Sequence, residues 1–243
     1  MLLHSHPMFK IYFGDARDKL FKQQYLNLPP DKNILEMEQL ATLKKAMSLE
    51  SLMFLNQVHG TDGLIINSED QLQNLRPFSK DGDFIITNLK HVGIGVMTAD
   101  CLPIIFFDKR NQVIAVVHAG WKGSVSHIAT KVVGHMQKNF NTKIEDLKVI
   151  FGPSAKVCCY KVTEDFLEHL EDVEFLERVI HRREDGLYFD LPLFNMILLG
   201  DLGIKKESIL FKYNDCTICD NSFYSCRRQG KYSGCQMSVV CLI

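Results

Sequence analysis

Residues 92–124, VGIGVMTADCLPIIFFDKRNQVIAVVHAGWKGS, constrain this chain more than any other stretch. They hold three apolar runs, at residues 93–97, 103–107 and 113–117, each too short for a helix and rich in β-branched residues and Phe. Such runs read as buried strands. The ends of two of them carry Asp100-Cys101 and His118. Cys and His held at strand ends on a rigid sheet are placed to act as metal ligands, or as a nucleophile with its base. Gly120-Trp121-Lys122-Gly123-Ser124 then opens a helical pattern over residues 124–140, with Val125, Ile128, Ala129, Val132, Val133 and Met136 at i, i+3, i+4 spacing. This strand, Gly-rich turn and helix unit puts a helix N-terminus beside His118, where free N–H groups favour an anion.

Upstream, residues 11–13 predict a first strand after a mobile start, and residues 14–30 a loop ending in the turn signal Leu28-Pro29-Pro30. Residues 33–49 carry Ile34, Met37, Leu40, Leu43 and Met47 at helical spacing, an amphipathic helix whose apolar stripe needs a sheet to cover. Residues 52–55 and 64–66 read as strands flanking Gln57-Val58-His59-Gly60, which places His59 at a strand edge. Residues 71–80 read as a polar surface loop, and Asp81-Gly82-Asp83 punctuates the start of a strand at 84–87. Downstream, strands are expected at 149–151, 187–189, 209–213 and 237–242, and helices at 163–170, 173–180 and 191–202, the last stopped by Gly203.

Strands and helices mix throughout, with no repeat and no linker, so the expectation is one α/β (α+β) layered domain over residues 1–243, a mixed β-sheet sandwich with flanking helices. At 243 residues it can bury a sizeable core. A net charge of −1 offers no electrostatic case for nucleic acid or a membrane surface as partner. The opening MLLHSHPMFKIYFGD lacks a secretory apolar region, and no window approaches about eighteen uninterrupted apolar residues, so a soluble, cytoplasmic protein is expected. In a reducing compartment the eight cysteines are thiols or metal ligands rather than disulfides.

His59, Cys101 and His118 together would make a zinc site with an open fourth position. The competing reading is ordinary packing, because His is intermediate in burial and Cys is often a small hydrophobe. Asp100 could be a general base or proton relay beside that site, or the cap of a turn. Cys216, Cys219, Cys226 and Cys235 form C-x2-C-x6-C-x8-C, which could hold a structural zinc or be independent thiols. Arg227 and Arg228, next to Phe223 and Tyr224, could fork a phosphate or carboxylate, or form a solvated surface pair. Trp121 could stack on a planar ring or simply pack.

QVHG, TADCLPI, VVHAGWKGS, GPS followed by CCY, and FYSCRR resemble, in this order, the motifs of the laccase-domain family. That family was first described as multicopper polyphenol oxidases and later assigned purine nucleoside phosphorylase and adenosine deaminase activity. The resemblance implies that His59, Cys101 and His118 bind a catalytic zinc. It also implies a single-domain α/β sandwich, similar to the catalytic domain of cytotoxic necrotising toxins, which use a Cys–His pair. Two departures stand out. The family's Arg-x-Gly-Gly-Val-Ser loop before Ser-Leu-Asn is replaced by Gly14-Asp15-Ala16-Arg17-Asp18 and Tyr25-Leu26-Asn27-Leu28, without paired glycines. Its Gly-Arg-Gln tail is here Gly234-Cys235-Gln236, one cation fewer. Both bear on substrate choice and phosphate handling.

Four functions compete. The first is a zinc-dependent purine nucleoside enzyme performing phosphorolysis of adenosine and inosine with adenosine deamination. Asp100 would move protons, and Arg227, Arg228, Lys122 or the helix after Gly123 would hold phosphate. Its partners would be small molecules, not nucleic acid or membrane, and it would be a monomer or small homo-oligomer. The second is a copper-dependent polyphenol oxidase, for which the same donors suit copper. A complete laccase also needs His-x-His pairs for a trinuclear cluster, and the chain has one, His4-Ser5-His6. The third is a thiol hydrolase or amidase with Cys101 as nucleophile and His118 as base. The fourth is a non-catalytic binding module.

Overall fold

A strand that is apolar at every position has to be covered on both faces, and in this protein the central strands are. The structure is a computed structural model that describes residues 2–21 and 38–243. A hairpin, β1 (Leu2–His6) and β2 (Phe9–Phe13), leads to helix α1 (Glu38–Met47) and strands β3 (Ser51–Phe54) and β4 (Gly63–Ile66). After the short α2 (Glu69–Gln73) come β5 (Phe84–Thr87), β6 (Val92–Thr98), β7 (Leu102–Asp108) and β8 (Val113–Ala119). Helices α3 (Trp121–Val125) and α4 (Ile128–Phe140) precede β9 (Leu147–Phe151) and β10 (Lys161–Val162). Then follow α5 (Leu176–Val179), β11 (Ile180–Arg183), β12 (Gly186–Phe189), α6 (Leu191–Asp201), β13 (Ile209–Leu210), α7 (Cys226–Gln229) and β14 (Gln236–Leu242).

One sheet runs β1-β2-β14-β6-β3, a second runs β13-β9-β7-β8-β5-β4, and β10-β12-β11 form a small third. The two large sheets are mixed, with parallel pairs β3–β6, β4–β5 and β13–β9 among antiparallel neighbours. Period-two alternation divides each strand between two layers. Ile105 and Phe107 of β7 and Ile114 and Val116 of β8 meet Ile11, Ile94, Val96 and Val240 from the other sheet. Their neighbours Ile104, Phe106, Ala115 and Val117 face Ile128, Val132 and Met136 of α4 and Phe194 and Leu198 of α6. The outer face of the first sheet, with Tyr12, Phe54 and Val239, is covered by Leu40, Leu43 and Met47 of α1. The layers therefore run helix, sheet, sheet, helix. Each fully buried Phe, such as Phe106 or Phe194, contributes roughly 2–3 kcal/mol of transfer free energy.

Several expectations change. His4-Ser5-His6 is not a mobile start but part of β1, paired residue for residue with β2. The helical pattern at 124–140 is broken at His127, which adopts a left-handed backbone (φ +62°), leaving α3 and α4 as separate pieces. Residues 163–170 form a 3-10 helix rather than an α-helix, and the pattern at 173–180 is α-helical only over α5 before turning into β11. The expected strand at 209–213 pairs over two residues, and α2 runs into the expected loop at 71–80. Residues 33–37 of the first amphipathic helix, the Leu28-Pro29-Pro30 turn and residues 25–28 lie outside the described residues. Among the described residues no helix is long and apolar enough to cross a membrane.

Candidate active site

Register brings three distant segments to one end of the second sheet. β7 and β8 are antiparallel with Pro103 opposite His118 and Leu102 opposite Ala119, so Cys101, one residue before β7, stands beside Gly120. β5 lies on the other side of β8 with Phe84 opposite Val117, which sets Asp83 across from His118. The His118 amide donates to the Asp83 carbonyl at 2.8 Å, and its ring Nδ1 lies 2.8 Å from Asp83 Oδ1.

Asp83 also gathers the QVHG loop. Its carboxylate accepts from the amides of His59 at 3.0 Å and Gly60 at 2.7 Å, with Val58 at 3.4 Å. The turn needs His59 in a left-handed conformation, φ +60°. At the other side of the loop the Gln57 amide pairs with both backbone groups of Met97 on β6, each at 2.8 Å. A loop tied at both ends presents its imidazole in a fixed direction.

The outcome is a convergent donor set. Cys101 Sγ lies 3.9 Å from His59 Nε2, the two imidazole rings meet edge to face at 4.7 Å, and the ligand atoms of His59, Cys101 and His118 lie within 4.8 Å of one another. Gly120 makes the space: a Cβ there would sit 3.1 Å from Cys101 Sγ and 3.2 Å from the His59 ring. With Nδ1 of His118 directed to Asp83, Nε2 is left for the cluster, the carboxylate–histidine arrangement that orients imidazole ligands at metal centres. Two imidazoles and a thiolate fit a metal ion, and the set suits zinc and copper alike.

Electrostatics agree with the geometry. Burial works to raise the Cys101 thiol, but His118 and His59 beside it outweigh that and bring it down to about 6. For His118 burial works downward, and Cys101 and Asp83 outweigh it, pushing it up to about 9. Burial would raise Asp83, yet the His118 interaction and the amides of Gly60 and His59 hold it below the usual carboxylate range. Each is a charge stabilised by named partners at close range.

The donors sit on the floor of a cleft of about 150 Å³ whose walls include Leu55, Phe78, Met97, Cys226 and Lys231. His118 and Asp83 are buried while His59 is exposed, so the cluster opens towards the cleft. Asp100 adjoins it with a left-handed backbone (φ +84°). Its carboxylate accepts from Thr217 Oγ1 at 2.7 Å, Ser225 Oγ at 3.0 Å and the Arg227 amide at 2.7 Å, which binds the tail to the Cys101 loop. The Arg227 guanidinium donates to the Lys161 carbonyl at 3.0 Å and lies 4.9 Å from the Tyr160 ring. Burial foremost pushes the Tyr160 hydroxyl up to about 12, so it stays protonated. Arg228 donates to the carbonyls of Thr217 at 2.9 Å, Ile218 at 2.6 Å and Phe223, a tail-bracing role.

Trp121 and Lys122 are not brought to the cleft wall. Trp121 packs against Phe166 and His169, at ring distances of 5.2 and 4.8 Å, and Lys122 Nζ lies 5.6 Å from the Trp121 ring. Sequence reasoning missed Asp83, Gln57, Tyr160 and Lys231 as site residues. Asp81-Gly82-Asp83 carried a turn signal only, and nothing local ties Asp83 to an imidazole 35 residues away. The tail cysteines part company as well. Cys226 lines the cleft and Cys235 is buried, while Cys216 and Cys219 meet Cys158 and Cys159.

Residues 30–243 match the family described as multi-copper polyphenol oxidoreductase laccase. A purine nucleoside phosphorylase of Borreliella burgdorferi is 32% identical over 182 residues, 74% of this chain and 75% of that protein. Adenosine deaminase RL5, from an unknown prokaryotic organism, is 28% identical over 208 residues, 83% of this chain and 79% of that one. The crystal structure of the Bacillus licheniformis hypothetical protein YfiH superposes with a TM-score of 0.77 at 22% identity, covering 97% of this chain and 93% of that one, and shares the mixed α/β fold. The profile match over most of the chain, on a fold that carries the His-Cys-His cluster, makes this protein a member of the multi-copper polyphenol oxidoreductase laccase family and an enzyme.

Proposed function

We propose that the chain is a zinc-dependent purine nucleoside enzyme that cleaves adenosine and inosine by phosphorolysis and also deaminates adenosine. The observation that carries this reading is the convergence of His59, Cys101 and His118 at the floor of a cleft, with Asp83 orienting His118. Held by these three residues, zinc would supply Lewis acidity, lowering the pKa of a water and polarising substrate oxygens. The names borne by the relatives supply the substrate class.

The remaining roles belong to the protein. Leu55, Phe78 and Met97 form an apolar wall on which a purine ring can lie. Phosphorolysis breaks the C1′–N9 bond and forms a C1′–O bond, so a phosphate dianion must be held beside the ribose. Lys231 lines the cleft, its Nζ 5.0 Å from the Tyr232 ring, and is the cation for that purpose. Asp100, with three donors on its carboxylate, acts as a positioning residue: it fixes the backbone from which Cys101 projects. Trp121 and Arg228 support the surrounding structure, and Arg227 with Tyr160 edges the site. On this proposal its partners are nucleoside and phosphate, its working unit one domain, its assembly a monomer or small homo-oligomer and its location the cytoplasm.

Copper suits the donor triad too, but a polyphenol oxidase of the laccase type needs a second, imidazole-rich cluster. The one His-x-His pair is engaged in the hairpin, His6 stacked on Phe9 at 4.6 Å and His4 5.7 Å from Tyr213. Among the described residues the other donor cluster is made of cysteines alone.

The test is metal removal with product identification. Chelation is expected to abolish release of adenine from adenosine and of hypoxanthine from inosine, together with conversion of adenosine to inosine. Added zinc should restore all three. Full activity after verified metal loss would favour Cys101 and His118 as a metal-free nucleophile and base; phenol oxidation restored by copper alone would favour the oxidase. Lys231→Ala should raise the phosphate KM by about tenfold, the weight of one charge-assisted hydrogen bond, and leave adenosine deamination unchanged.

A further inference from the structure

Outside the active-site cleft, four cysteines from two segments come together. The sulfur atoms of Cys158, Cys159, Cys216 and Cys219 lie within 4.8 Å of one another. We propose that these four thiolates form a second metal site, a structural zinc centre that staples the turn after β9 to the C-terminal tail.

The local geometry is that of a metal knuckle. Cys216-Thr217-Ile218-Cys219 is a C-x2-C turn, closed by the Asp220 amide donating to the Cys216 carbonyl at 3.1 Å. Burial works to raise the Cys216 thiol, and the backbone amides of Cys219, Lys156 and Ile218 outweigh it and hold it below the usual thiol range, as suits a thiolate ligand. On the opposite side, the amides of Cys159 and Tyr160 both donate to the Lys156 carbonyl, at 2.9 and 2.8 Å. That tight turn projects two adjacent cysteines towards the knuckle. The two segments are in register through Ser154, whose amide donates to Asp215 and whose carbonyl accepts from Thr217, each at 3.0 Å.

Four sulfurs at tetrahedral zinc, with Zn–S near 2.3 Å, stand about 3.8 Å apart, so the observed cluster needs only a small contraction. Binding releases the four thiol protons and leaves a centre of net charge −2. Cations flank it: Arg183 donates to the carbonyls of Val157 at 2.9 Å and Cys158 at 3.2 Å, and Lys156 Nζ to that of Asn214 at 3.0 Å. All-thiolate tetrahedral sites select zinc among the common divalent ions.

The position gives the staple a purpose. Thr217, between the two knuckle cysteines, is the residue whose hydroxyl holds Asp100 at 2.7 Å, and Asp100 precedes Cys101. Fixing the knuckle fixes the support of the active-site thiol.

Cobalt(II) titration tests this apart from the catalytic site. A chain carrying His59→Ala and Cys101→Ser, reduced and metal-free, should bind one equivalent of cobalt. It should show intense thiolate-to-cobalt charge transfer in the near ultraviolet and tetrahedral d–d bands in the visible; adding Cys216→Ser and Cys219→Ser should abolish both. In the wild-type chain, zinc should slow alkylation of Cys158, Cys159, Cys216 and Cys219 at least tenfold, read residue by residue by mass spectrometry, so the result does not depend on any variant folding. Absence of cobalt binding in the first chain, equal alkylation with and without zinc, or metal-free protein in which the four sulfurs are paired as disulfides would each overturn the proposal.

Discussion

Replacing Cys101 by serine will lower turnover of adenosine and of inosine together, by at least about a thousandfold, while leaving the unfolding midpoint of the metal-free chain close to that of the wild type. The size follows from the contribution asked of the metal: several kcal/mol of transition-state charge stabilisation, at about 1.4 kcal/mol per factor of ten. Serine matches the thiol in shape, so the packing against Gly120 and the two imidazoles is kept, whereas a neutral hydroxyl is a poor ligand. The loss should appear in kcat with a matching fall in bound zinc. Should deamination persist while phosphorolysis disappears, the two reactions do not share this centre. Retention of both would remove Cys101 from the chemistry altogether.

Asp83→Ala has the largest expected effect on stability, roughly 3–5 kcal/mol, because it strands the amides and the imidazole Nδ1 that the carboxylate holds. The carboxylate is fully buried, lies 2.8 Å from the His118 ring, and accepts from the amides of His59 and Gly60. Removing it leaves those donors and a buried imidazole uncompensated. Metal affinity should fall by about 10- to 100-fold, since nothing then orients His118. Asp83→Asn separates the two effects. It keeps the volume, but its NH2 confronts the N–H groups that the carboxylate accepts, so part of the stability returns while metal affinity stays low. Chemical denaturation of the metal-free chain and competition with a zinc chelator measure them independently. An Asp83→Ala chain with native stability and native zinc affinity would show that this carboxylate is incidental to the site.

The layered core was legible because its signal is local. Residues 103–107 and 113–117 are apolar at successive positions, and only a strand covered on both faces buries such a run. The stripe of Leu40, Leu43 and Met47 likewise announced a helix covering a sheet, and α1 does so. Where local and tertiary preferences conflicted, the pattern misled. The helical spacing across 124–140 gave no sign of the left-handed backbone at His127, and His4-Ser5-His6 read as an unstructured start because its partner strand is recognised only once paired.

The candidate site was legible in its donors and not in their surroundings. His59, Cys101 and His118 stand where apolar runs give way to turns, a pattern visible in the chain and shared with the family motifs. Asp83, Gln57 and Lys231 had no such mark, because each acts on a residue far away in sequence. Arg227 and Arg228 looked alike as neighbours, yet one lies over the Tyr160 ring and the other donates to the tail carbonyls of Thr217, Ile218 and Phe223.

Sequence alone determined the central apolar strands, the amphipathic stripes that cover them and which residue types could bind a metal, since those follow from side-chain periodicity and donor chemistry within a few residues. Tertiary structure decided the partnerships: Asp83 with His118, and Cys158 and Cys159 with Cys216 and Cys219 in place of Cys226 and Cys235. Those depend on strand register and on the order of strands in a sheet, which are set by summed packing over the whole core rather than by any local stretch of chain.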